Sequence, residues 1–312
     1  MPVGMLATAL MGTAVAGAAI AAGNAAPTTT ARTTPAVSAS APCAGAAAPA
    51  KYDHVIWIWF ENKAPIIGSS SAPYFTSLAG QCGLATNYHG ITHPSLPNYL
   101  AATGGSTFGV TDDNPPSSHR ITAASIFSQV KASGRQWRSY EESMPSNCAL
   151  SSSGTYAVKH DPAAYFTGIR TDCSSWDVPM GTTSSGAFRA AVNGGTLPAF
   201  SFITPNMCND MHDCSVATGD AWLKSWMPRI LSSATYLAGR TAVVVTFDES
   251  SSSSTTNAVS TIVVAPSVRK GTANGTRFDH YSLLRTTEEM LGLPTTLGGA
   301  STAASMRSAF HL

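Results

Sequence analysis

Charge is what this chain has least of. Only 11% of its 312 residues are Asp, Glu, Lys or Arg, and the formal net charge is +1. No broad basic face is available to neutralise a phosphodiester backbone, so polymeric DNA or RNA is not an expected partner. The chain has no Cys-x-x-Cys pair, which removes the zinc knuckle. It also lacks a Gly-rich dinucleotide fingerprint, a Walker loop and internal repeats, so nucleotide-cradling loops and solenoid architectures fall away. In place of charge there is abundant Ser, Thr, Asn and Gly, which keeps a surface soluble by hydrogen bonding and suits an exported protein. The 44% apolar content is ample for a buried core.

The amino end reads as an export signal. Met5 to Ala22 is an uncharged run of Ala, Leu, Val, Met, Gly and Thr, followed by Gly23-Asn24-Ala25 with small residues of the kind a signal peptidase accepts. Residues 1–25 are therefore expected to be a signal peptide, although Met1 to Gly4 carries no Lys or Arg. If retained, this segment would anchor the chain, but Gly and Ala drive insertion poorly and stable membrane insertion is not expected. Residues 26–50 are mainly Thr, Ala, Pro and Ser with Arg32 as the only charge, the composition of a disordered linker, and the folded domain is expected over 51–312. Six cysteines in an exported chain read as disulfides, and order and proximity favour Cys43 with Cys82, Cys148 with Cys173, and Cys208 with Cys214.

His54 to Phe60 is a continuously apolar, β-branched and aromatic run, as in a strand covered on both faces. The same form recurs at Ala242–Phe247, and more weakly at Pro198–Ile203 and Thr261–Ala265; these are expected as parallel central strands. Helical patterns at 72–81, 95–103, 123–132, 216–237 and 281–291 alternate with them. The predicted fold is one α/β domain, a three-layer αβα sandwich about a mostly parallel sheet. Open sheets of this kind gather ligands at the carboxyl ends of their strands, which makes polar residues there suspects by position.

Two strands end in acids. Glu61-Asn62 follows the first apolar run and Asp248-Glu249 follows the run at 242–247. Singly, such acids most often cap a turn. Together, in a chain with only 17 acidic residues, they offer hard oxygen ligands for one divalent metal ion, Mg²⁺, Ca²⁺, Mn²⁺ or Zn²⁺. In Thr92-His-Pro-Ser-Leu-Pro-Asn-Tyr99, Ser95 is placed as an N-cap with Pro97 in the first turn, so its oxygen would lie at the positive end of a helix where phosphate oxygens bind. Asn98, one turn on, could donate to the same phosphate. A plain capping serine is the competing reading. His160, His212 and His280 have acidic neighbours able to hold a tautomer, as a phosphate-gripping donor or leaving-group acid requires. Asp210 or Asp213 would orient His212, with the Cys208–Cys214 bridge pinning their loop.

These motifs, with Lys159-His-Asp-Pro162, Thr204-Pro-Asn206, Thr246-Phe-Asp-Glu249 and Asp279-His-Tyr281, resemble the phosphoesterase family that joins bacterial phospholipases C to acid phosphatases within the alkaline phosphatase-like fold. The resemblance runs from about Tyr52 to Pro294. It implies that Glu61, Asn62, Ser95, Asp248 and Glu249 hold the metal, that His160, His212 and His280 hold phosphate, and that Ser95 is the nucleophile. The implied activity is hydrolysis of a small phosphate ester, most readily a phosphomonoester; the alternative is a phospholipase C-like diesterase acting on phospholipid head groups. A carboxylesterase using Ser95 and His280 would need the Gly-x-Ser-x-Gly elbow that the chain lacks, and a non-catalytic binding module would not need the acidic pairs.

Overall fold

A computed structural model describes residues 1, 9, 42–251 and 254–312. The expected signal peptide and the linker up to residue 41 therefore lie, apart from Met1 and Ala9, outside the described residues. Nine strands form the central sheet: β1 (His54–Phe60), β2 (Gly83–His89), β3 (Trp137–Glu141), β4 (Asp177–Pro179), β5 (Phe200–Thr204), β6 (Thr241–Phe247), β7 (Ala258–Val264), β8 (Thr272–Asn274) and β9 (Phe278–Asp279). The helices are α1 (Pro73–Gln81), α2 (Ser95–Gly104), α3 (Ile126–Ala132), α4 (Arg170–Trp176), α5 (Ala187–Gly194), α6 (Val216–Leu231), α7 (Ala234–Leu237), α8 (His280–Leu291) and α9 (Arg307–Phe310).

The strand order is β4-β3-β5-β1-β6-β7-β2-β8, with β9 also on β2. Every pairing is parallel except those of β7, which runs antiparallel to both β6 and β2. The stretch around Thr261–Ala265 is thus a strand as expected, but a reversed one; apolar runs report burial on both faces and carry no sign of direction. β1 shows why such a run is needed. Trp57 and Trp59 point to one face, where Trp57 Nε1 donates to Thr287 Oγ1 of α8 at 3.0 Å and Trp59 packs on Tyr99 of α2. Phe60 points to the other, onto Phe75 of α1 and Trp222 of α6. Helices thus cover both faces of the sheet.

The three expected disulfides are present. Cys43 is buried and bonded to Cys82, and the backbone of Ala44 to Ala46 is bonded to Pro266 and Val268, so, among the described residues, 43–46, inside the stretch expected as linker, are packed into the folded body. The predicted helix over 216–237 is two helices, interrupted at Ser232-Ser233, where Ser233 caps α7 through the Tyr236 amide. No helix among the described residues is long and apolar enough to cross a membrane.

Candidate active site

The carboxyl ends of β1 and β6 are adjacent, so their terminal acids meet. Glu61 and Asp248 are fully buried. Asn62 adopts a left-handed backbone (φ 54°), a conformation asparagine tolerates, and this turns its amide onto Asp248 Oδ1 at 3.0 Å while its Nδ2 donates to Glu61 Oε2 at 2.8 Å. Ser95 Oγ donates to the same Glu61 oxygen at 3.0 Å. Ser95 is the first residue of α2 rather than its N-cap, which is Pro94, and its hydroxyl caps no backbone group. The helix end is held by Asp113, whose Oδ1 accepts from Leu96 N at 2.9 Å.

The loop after β5 supplies the other half. Cys208–Cys214 closes it, and buried Met211, itself left-handed, packs so tightly on Gly219 of α6 that a Cβ there would lie 2.5 Å from the methionine. Asp210 is buried beneath; its Oδ1 accepts from His212 N at 2.7 Å and its Oδ2 lies 3.3 Å from His160 Nδ1. Asp213 Oδ1 accepts from His212 Nδ1 at 2.7 Å. Both acids orient the histidines, Asp210 through the backbone and His160, Asp213 through the His212 ring.

His160 stands between the halves, with Nε2 3.3 Å from Glu61 Oε1 and its ring stacked on Tyr99 at 5.5 Å. Burial above all, then the nearby Lys159 and His212, hold His160 well below its ordinary pKa, so the ring is neutral and has one N–H for two facing carboxylates. The acids respond in the opposite sense. Burial, reinforced by Asp248 and Asp210, pushes Glu61 well above the usual carboxylate range. Burial likewise raises Asp248 and Asp210 each to about 7, and burial plus the Asp248 charge raises Glu249 to about 9. Asp248 Oδ2, Asp210 Oδ2 and His160 Nε2 are buried without a hydrogen-bond partner. One atom each from Glu61, His160 and His212 lie within 4.8 Å of one another. Crowded carboxylates and imidazoles with unpartnered lone pairs fit a divalent cation.

The expected site residues divide three ways. Glu61, Asn62, Ser95 and Asp248 come together, joined by His160 and Asp210. Glu249 turns aside to His93, Nδ1 to Oε2 2.5 Å, while remaining close enough to Asp248 and Lys159 to feel both charges. Asn98 and His280 are corrections. Asn98 is fully buried, its Oδ1 accepting from Ile91 N and Thr92 N and its Nδ2 donating to Thr92 O and Pro94 O, so no donor is left for a phosphate and it braces the loop ahead of Ser95. His280 is also fully buried, donating from Nε2 to Asp248 O and accepting at Nδ1 from Tyr88 OH at 3.1 Å, so it fixes the β6 end and does not face a substrate. Burial pushes its pKa down to about 4, which removes it as a proton donor.

Sequence reasoning missed Tyr99, Lys159 and Asp113. Tyr99 OH donates to Glu61 Oε1 in a short hydrogen bond. Lys159 Nζ lies 3.0 Å from Asp113 Oδ2 and 3.4 Å from His212 Nε2, the one lysine beside the acidic cluster among the described residues. Its scarcity as a cation in a quoted motif was the available signal. A cleft of about 490 Å³ lined by Asp113, Ser151, Ser152, Tyr156, Lys159 and Asp213 opens beside His212.

A model of the Phosphoesterase family matches residues 59–294. The chain is 37% identical to a phosphatidylinositol-3-phosphatase of Mycobacterium tuberculosis, over 82% of this chain and 83% of that protein. It is 30% identical to an acid phosphatase of Aspergillus fumigatus and 31% to a phosphate-repressible acid phosphatase of Penicillium chrysogenum, over 78% of this chain in each case, and it spans only 56% and 60% of their lengths. Among solved structures, a protein in the alkaline phosphatase superfamily from Vibrio parahaemolyticus superposes with a TM-score of 0.59 at 9% identity, covering 85% of this chain and 74% of that one, a likeness of fold. With acids at two strand ends, a serine donating into them and this match across most of the domain, the chain belongs to the Phosphoesterase family, hydrolases of phosphate ester bonds.

Proposed function

We propose that this is a secreted, metal-dependent acid phosphatase that hydrolyses phosphomonoesters through a phosphoserine on Ser95. The observation that carries the reading is the Ser95 hydroxyl, 3.0 Å from Glu61 at the edge of a buried acidic cluster that has unpartnered oxygens. Glu61 Oε2 holds the serine proton and orients the Oγ lone pair for in-line attack on phosphorus. A divalent cation held by Glu61, Asp248 and the neighbouring imidazoles would supply Lewis-acid polarisation of a phosphoryl oxygen and favour the ionised serine. Lys159 is placed to follow the charge on the equatorial oxygens. His212, its Nδ1–H held by Asp213, would as the imidazolium give its Nε2 proton to the leaving alcohol and then, neutral, take a proton from the water that releases phosphate.

The names of the relatives support a monoester on a small alcohol or a phospholipid head group as substrate. Three disulfides support an oxidising, extracellular compartment. The test is turnover of p-nitrophenyl phosphate and its bis ester by the purified protein, with and without chelator, against Ser95→Ala. Chelator-sensitive monoester cleavage, with a phosphorylated Ser95 peptide trapped at acid pH, is the expected result. Diester cleavage alone would move the assignment to the phospholipase-like reading. Full activity in Ser95→Ala would end it.

A further inference from the structure

A second set of carboxylates lies outside the catalytic cluster. Glu141 ends β3, Asp177 opens β4, and Asp161 follows His160 ahead of a short turn; all three are at most 1% exposed. One oxygen from each lies within 4.8 Å of the others. Strand register sets two of them, because Asp177 is the partner of Ser139, whose side chain shares a face with that of Glu141.

The donors around them do not suffice. Ser139 Oγ donates to Glu141 Oε1 at 2.7 Å, the Thr204 hydroxyl also serves Glu141, and the Ala163 and Ala164 amides serve Asp161. Tyr156 OH lies 2.8 Å from Asp161 Oδ2 and 2.9 Å from Ala149 O, and its single proton serves only one of them. Asp177 faces the Asp161 carboxyl, and a proton shared between the two is the one hydrogen bond it has. Its Oδ2 contacts Cys173 Sγ at 3.4 Å, a disulfide sulfur without hydrogen, and its Oδ1, like Asp161 Oδ1, is buried without a partner. The guanidinium of Arg170, with Nη2 on Ala164 O at 2.6 Å and Nη1 on the Cys148 sulfur, places a positive charge near Asp177 but donates to none of the three carboxylates.

We propose that Glu141, Asp161 and Asp177 form a second, structural divalent-cation site that takes a hard cation of the Ca²⁺ or Mn²⁺ kind. Oxygen-only ligands select such ions, and oxygens ~2.4 Å from a Ca²⁺ lie up to roughly 4.8 Å apart, a limit within which these three oxygens fall. The buried and unpartnered Oδ1 atoms of Asp177 and Asp161 are what distinguish it from a satisfied polar core. The site ties β3 and β4 to the turn that presents His160, beside the Cys148–Cys173 bridge. It holds the sheet edge on which the catalytic loop rests and shares no residue with the catalytic cluster.

The test uses the full chain with its disulfides intact, stripped with EDTA and dialysed against Ca²⁺ or Mn²⁺. Bound metal is counted by mass spectrometry in wild type, in a Glu61→Gln/Asp248→Asn double variant that disables the catalytic cluster, and in Asp177→Asn. The double variant is expected to retain one equivalent, with Tm rising about 5 °C at cation near 100 Kd, and Asp177→Asn to lose both the equivalent and the shift. A double variant that takes up no metal, with a Tm indifferent to Ca²⁺ and Mn²⁺, overturns the proposal and leaves shared protons as the explanation of the cluster. So does an Asp177→Asn protein whose Tm responds to cation as wild type does. If Asp177→Asn does not fold, the double variant's stoichiometry decides alone.

Discussion

Tyr99→Phe removes one oxygen and little else. The aromatic ring, buried against Trp59 and stacked on His160 with an interplanar angle of 16°, is retained, so packing is preserved. The hydrogen bond from Tyr99 OH to Glu61 Oε1 is lost, and that bond favours the ionised carboxylate against the burial and like charges that raise its pKa. Hydrogen bonds to charged groups contribute about 1.5–3 kcal/mol, equivalent to roughly 1–2 pH units of further upward shift. Protonation of Glu61 then competes with cation binding, and a 10–100-fold rise in the cation concentration for half activation is expected, the range found when a ligand's supporting partner is removed. The sign fixes the pH dependence. Protons compete best in acid, so the deficit is largest at low pH and narrows as pH rises. The assay is titration of chelator-stripped enzyme with Mn²⁺ at acid and neutral pH, reading p-nitrophenyl phosphate turnover. An unchanged half-activation concentration at both pH values, with the protein folded, would refute the role given to this hydroxyl.

Three further outcomes follow from the geometry. His212→Ala should slow cleavage of alkyl phosphates far more than that of p-nitrophenyl phosphate, whose leaving group needs no proton; equal losses on both would remove His212 as the acid. Glu288 is buried in α8, where burial pushes its pKa up to about 7 while its Oε1 accepts from Leu297 N at 2.9 Å. Its contribution is complete below the unfolded carboxylate pKa and is lost as pH rises through about 7, an effect on the order of 3 kcal/mol. Glu288→Gln should therefore raise Tm at pH 8 and leave it nearly unchanged at pH 4, and a variant less stable at pH 8 would contradict this. Opening the Cys208–Cys214 loop by double serine substitution should cost about 2 kcal/mol by loop-closure entropy and lower kcat by loosening Asp210 and His212. Denaturant melts and steady-state rates measure both parts.

Much of the fold was legible because its central strands are extreme. A run such as Val55 to Phe60, apolar at every position, has few homes other than a strand covered twice. β2, Gly-Leu-Ala-Thr-Asn-Tyr-His, was not foreseen, since five of its seven residues are small or polar and its pairing is broken by a register shift between Ala85 and Tyr88. At the site, acids at strand ends and the serine motif were readable from position alone. Asn98 and His280 were assigned to phosphate because residue type shows what a side chain can donate, whereas only coordinates show that its hydrogen bonds are already committed. Lys159 and Asp113 escaped for the converse reason: they are 46 residues apart in sequence and acquire meaning only as a pair.

The Cys43–Cys82 bridge fixes where the body of the enzyme can be held. Cys82 precedes the start of β2, which runs parallel to β1 and β6, so this bridge lies at the amino-terminal edge of the sheet while Ser95 opens at the carboxyl-terminal edge. Pro42 and Cys43 are thereby held on the side of the sheet remote from Ser95. A bead, a fusion partner or a cell-surface tether attached there would display the enzyme with its entrance facing outward, and immobilisation through this end should leave KM for small phosphate esters unaltered.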